Sequence, residues 1–154
     1  MKREPIYDAL LGLLQQLQSP PYVTTWPTIQ VNLGFRTYED AQIQPAIFIE
    51  PLKEAAVYQR GLPTKWKLQA AVWVYVRSDT INLGIQNLNA LMDAIEAILS
   101  PVGSNAGAPS DNGYVLTLNE LVQYAAIQGE VEISGGYLQN NQTVARIPLE
   151  ILVA

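Results

Sequence analysis

Apolar residues recur at intervals of three and four over residues 5–18, where Ile6, Leu10, Leu13, Leu14 and Leu17 fall on one stripe of a helix. Pro5 suits its first turn, and Pro20-Pro21 ends it by withholding a donor and restricting the residue before. In the turn-rich stretch that follows, Trp26 reads either as a lid over this helix or as an exposed anchor. The period then changes. Residues 46–50, Ala-Ile-Phe-Ile-Glu, form an apolar run between Pro45 and Pro51 and predict a short buried strand. Residues 66–77 alternate, with Trp66, Leu68, Ala70, Val72, Val74 and Val76 on one face and Lys67, Gln69, Ala71, Trp73, Tyr75 and Arg77 on the other. The first face is core; the second carries large aromatics. Between these strands Gly61-Leu62-Pro63 supplies a turn, so the pattern predicts a long hairpin whose arm protrudes over about residues 52–67.

Helical spacing returns over residues 82–99, where Leu88, Leu91, Met92, Ile95, Ile98 and Leu99 make the stripe and Asp79 or Asn82 is available as a cap. Residues 100–113 are polar and rich in Gly and Pro, and the 41 residues beyond them are too few for a core of their own, so they form a loop within one domain spanning 1–154. Two strands follow, 121–134 and 142–153, around a turn at Gly135-Gly136 and Asn140-Asn141. In the last strand Thr143, Ala145, Ile147, Leu149, Ile151 and Val153 face one way, and Val144, Arg146, Pro148, Glu150 and Leu152 the other. Pro148 cannot donate to a ladder, which predicts that this strand lies at an edge or pairs through a bulge. The order is helix, strands, helix, strands.

Composition changes this picture mainly by exclusion. The chain has no His and no Cys, which removes imidazole bases, thiolate nucleophiles, disulfides and nitrogen or sulfur metal ligands. Charged residues are only 15%, and 22 Gln and Asn side chains take their place, giving a wet but electrically quiet surface. A net charge of −5 opposes general nucleic-acid binding, because displacing counterions from phosphates needs a basic surface. The basic start Met1-Lys2-Arg3 is followed by periodic apolar residues broken by Asp8, Gln15 and Gln16, unlike a signal peptide, and no apolar run reaches membrane-spanning length. A soluble chain made in the cytoplasm is expected, with no cofactor, no metal and no membrane partner.

An enzyme built from what remains would depend on carboxylates, hydroxyls or lysines. Glu130 with Glu132, Asp93 with Glu96, and Glu39 with Asp40 are the pairs at workable spacing. Each is more simply a solvated polar face, none sits beside an identifiable nucleophile, and Gly135-Gly136 has no helix or Lys-Ser/Thr behind it to bind phosphate. No enzymatic activity is expected. The arm gathers Lys53, Arg60, Lys65 and Lys67, four of the nine cations, beside Tyr58 and Trp66. These are solvated cations guarding a strand edge, the anchors of a protein contact, or a nucleic-acid contact that the whole-chain charge opposes. Glu130, Glu132 and Glu150 form a complementary acidic face, and contact between the arm of one copy and the acidic strand of the next would be heterologous, closing into a ring if its rotation divides a full turn.

The order of elements carries a resemblance. It comprises the N-terminal helix, an extended region with Phe35-Arg36, the strand Gln44–Glu50, the arm at Gly61-Leu62-Pro63, a long strand, the helix Leu88-Asn89-Ala90-Leu91-Met92-Asp93-Ala94-Ile95-Glu96, and a hairpin ending Val144-Ala145-Arg146-Ile147-Pro148-Leu149. This resembles the tail terminator and tail-completion proteins of tailed bacteriophages, including the lambda-type minor tail protein U, from about residue 5 to 153. Many relatives carry Gly-Gly after the leucine that opens the penultimate strand region, where Leu118 is here followed by Asn119-Glu120. The resemblance implies an α+β domain with a small mixed or antiparallel sheet flanked by two helices. It further implies a hexameric ring in the virion, at the junction of tail and neck, that caps the tail tube, stops tube-protein polymerisation and offers a surface to the head connector. Six copies at −5 each would carry −30, which would let DNA slide through the channel without specific binding. A head-tail joining (neck) protein of the same fold group and an unrelated α+β protein-binding module are the alternatives.

Overall fold

The computed structural model describes residues 1–18, 30–34, 45–78, 80–100, 115–135 and 142–153. Helix α1 (Arg3–Gln15) tightens into a 3-10 turn at Gln16–Gln18. Strands β1 (Gln30–Leu33), β2 (Ala46–Val57) and β3 (Lys65–Arg77) precede helix α2 (Ile81–Ile98). Strands β4 (Tyr124–Ile127), β5 (Glu132–Gly135) and β6 (Gln142–Val153) follow it. All six strands join one sheet in the order β1-β2-β3-β6-β4, with β5 on the same flank of β6 as β4. β1 runs parallel to β2 and the other pairings are antiparallel, so this is an α+β fold with a mixed sheet. Trp26, Phe35, Arg36, Glu39, Asp40, Asp79, residues 101–113 and the turn at Asn140-Asn141 lie outside the described residues.

Alternation decides which face the helices cover. Ile6, Leu10 and Leu14 of α1 and Leu88, Leu91 and Ile95 of α2 share a buried cluster with Ile47, Ile49, Val72, Val74, Ile147 and Ile151. These strand residues belong to one pleat face, so both helices lie on the same side of the sheet. Each such side chain contributes about 1.5–3 kcal/mol by leaving water. The opposite face is not simply solvated. Ala46, Phe48, Tyr75 and Val144 form a second buried cluster, with Phe48 edge-on to Tyr75 at 5.8 Å and Trp73 stacked on Tyr75 at 6.5 Å. Burial pushes the Tyr75 hydroxyl up to about 12.

Four expectations change, each for a nonlocal reason. The strand expected to stop at Pro51 runs on to Val57; β1 pairs only with residues 46–49, so among the described residues the outer side of β2 beyond Ile49 has no ladder for a proline to interrupt. A bulge at Leu52, between Pro51 and Lys53, then exchanges faces and puts Glu54 on the helix side opposite Leu68. The single strand expected at 121–134 is two short strands, β4 and β5, split opposite Pro148. Strand β6 is therefore not an edge but the partner of β3, β4 and β5, and the proline is accommodated in the split. Pro148 O accepts from Gln128 N at 3.1 Å, so its donor-less nitrogen faces that same side. Gly129, at φ +116°, passes so close that a Cβ there would meet Pro148 Cγ at 3.1 Å. The cap of α2 is Thr80, whose hydroxyl accepts from Leu83 N at 3.2 Å, rather than Asp79 or Asn82.

Candidate protein interface

The sheet face away from the helices collects most of the residues singled out in the sequence. Lys53 faces Gln69 across β2 and β3, Lys65 faces Val57, and Lys67 follows two residues on, which places all three cations on that face. Tyr58 and Arg60 belong to the connection between the strands, where Leu62 N bonds Gln59 O at 3.1 Å and Gly61 takes φ +82°. That positive φ is the conformation a type II turn requires of its third residue. Tyr58 is 72% exposed and Leu62 57%. On the helix side of the same hairpin, Arg3 donates to both Glu54 oxygens at 2.6 Å and its guanidinium stands 5.7 Å from the Trp66 ring. The Arg3 hydrogen bonds hold the Glu54 carboxyl below the usual carboxylate range.

Basic and acidic groups meet first within the chain. Lys67 Nζ lies 3.7 Å from Glu150 Oε1, and the Tyr124 hydroxyl donates to the same oxygen at 2.5 Å. Donation to Glu150 raises the Tyr124 pKa above its ordinary value, with burial as the second cause. This triad joins β3, β4 and β6 and fixes one wall of a groove of about 460 Å³. Val57, Leu62 and Pro63 form the hairpin wall, Tyr124 and Leu152 the other, and Lys65 and Lys67 supply the charge. Apolar walls with two cations suit an acidic, partly apolar segment better than a small metabolite.

The remaining acids sit elsewhere on the sheet. Glu132 lies opposite Arg146, whose guanidinium covers the Trp73 ring at 5.9 Å, while Glu130 is in the link between β4 and β5. The side chains of Glu130, Glu132 and Lys65 have no hydrogen bond or ion pair among the described residues. Beside the two acids, Val131 is 43% and Ile133 54% exposed. Of the residues not singled out as sites in the sequence, Leu152 shares the face of Glu150 by alternation in β6 and was legible from it, whereas Val131 and Ile133 lie on the opposite face from Glu132, and Tyr124 reaches Glu150 only through the β4–β6 register. Asp93 and Glu96 are exposed on α2. Among the described residues no group of three or more acidic side chains could hold a metal ion, and no helix is long and apolar enough to cross a membrane.

No protein-family model matches this chain, and no match is found among curated proteins. Among solved structures, a chain of the virion of a native gene transfer agent (GTA) particle is similar over 96% of this chain and 96% of its own, at 13% identity and a TM-score of 0.47.

Proposed function

We propose that this chain is a structural protein of a phage-type virion, and specifically a tail terminator: a ring-forming protein, without enzymatic activity, that caps the tail tube, stops its growth and offers a surface to the head connector. The observation that carries the reading is the element order of the resemblance, which the fold keeps from α1 through the β2–β3 hairpin and α2 to β6. A ring subunit also needs surfaces left over after its own core is complete. The outer side of β2 beyond Ile49 and the outer side of β5 are unpaired among the described residues, and unpaired strand edges are templates for another chain. Six copies would line an acidic assembly through which DNA passes without specific contacts.

The test uses polymerising tail-tube protein. Purified chain added at the start should halt elongation at short tubes and be seen as a six-fold toroid at one tube end by electron microscopy. A neck protein of the same fold group would bind the connector yet leave tube length unchanged, and that result would replace the terminator reading with the joining one.

A further inference from the structure

We infer that the groove beside the hairpin of one copy receives residues 130–133 of a second copy of this chain, with Lys65 of the groove meeting Glu132 of the inserted segment. The inference rests on the ring reading and deepens it, because it specifies the joint from which such a ring would be built.

The two surfaces match in both charge and apolarity. The groove offers Lys65, unpaired among the described residues, between Val57, Leu62 and Leu152. Glu130-Val131-Glu132-Ile133 offers two carboxylates without side-chain partners and, on the opposite side of the extended segment, two exposed apolar side chains, so the groove's walls would meet both sides of it. Lys67 contributes less to a new contact, since Glu150 already engages it. The segment cannot fill its own chain's groove. Glu132 is held opposite Arg146, whereas the groove lies at Leu152, six residues further along β6. At about 3.3 Å per residue that is about 20 Å, and closing it would unzip β5 from β6. The contact therefore joins two copies: exchanged reciprocally it stops at a two-fold dimer, and repeated head-to-tail it closes into a ring or continues as a filament according to its rotation. Exposed Leu62 and Ile133 on a low-charge chain acquire a reason here: they are covered in the assembly.

The experiment measures the mass of the full chain by light scattering and native mass spectrometry over a concentration series, for the wild type, Lys65→Glu, Glu132→Lys and the double variant. Both positions are solvent-exposed, so unchanged circular dichroism spectra should accompany every variant. The wild type should assemble, each single charge reversal should weaken association about tenfold or more, and the double variant should regain most of the loss, as expected of a pair in direct contact. Ile133→Ser, which leaves the charges alone, should weaken association too. An assembly whose concentration dependence is the same in all these variants overturns this joint and leaves the ring reading standing. A wild type that stays monomeric at every concentration overturns both.

Discussion

At the scale of single residues, the least comfortable backbone among the described residues lies in the turn before β4. Leu118, Asn119 and Glu120 take φ of 50°, 59° and 66°, three consecutive left-handed residues with no glycine among them. The turn is held by Leu118, which is fully buried, and by bonds from Val122 N to Thr117 O at 3.2 Å and from Glu120 N to Thr117 Oγ1 at 3.3 Å. Left-handed conformation costs a residue with a Cβ about 1–2 kcal/mol, and asparagine tolerates it better than glutamate. Glu120→Gly should therefore stabilise the protein by about 0.5–1 kcal/mol, the relief being partly offset by the extra freedom of glycine in the unfolded chain. Thermal unfolding followed by circular dichroism should show a midpoint higher by about 2–4 °C. Glu120→Val should lower it, and a lower midpoint for the glycine variant would show that the turn is unstrained.

Among the elements, α2 separates what a local pattern can reveal from what it cannot. Its stripe at Leu88, Leu91 and Ile95 was legible because helical spacing is written into neighbouring residues, and those side chains are indeed buried. Its start was misplaced because Asp79, Thr80 and Asn82 all have capping oxygens, and only the entering chain path selects among them. Thr80 wins with an extended backbone at φ −130°, its hydroxyl on Leu83 N and its carbonyl on Gly84 N. Thr80→Ala should cost about 1 kcal/mol in denaturant unfolding with an unchanged slope, and Thr80→Asp should recover most of it. Equal stability of the alanine variant would mean that the cap bond contributes nothing net. The sheet was legible in the same partial way. The alternation of β6 assigned its faces correctly, but Pro148 argued for an edge or a bulge because the sequence does not say that β4 and β5 divide opposite it. The acidic face was likewise drawn without knowing that Glu150 meets Lys67 and Tyr124 in its own chain.

For the molecule as a whole, stability and assembly are carried by different residues. The helix-side core draws on α1, α2 and one pleat face, whereas the connection from Tyr58 to Thr64 buries none of its side chains and makes one wall of the groove. Its removal should therefore leave the fold and take away the joint. Val57 and Lys65 are paired neighbours, so a two-residue Asn-Gly turn can replace residues 58–64 and close the hairpin in its present register. The shortened chain should unfold within about 1 kcal/mol of the parent, because an exposed loop contributes little and a shorter one costs less entropy to close. It should also remain monomeric at concentrations where the parent assembles, and fail to halt tube growth. Loss of stability by several kcal/mol would place the hairpin end in the core's service. Full assembly without it would place the joint on the unpaired strand edges, where backbone pairing rather than side-chain complementarity holds the copies together.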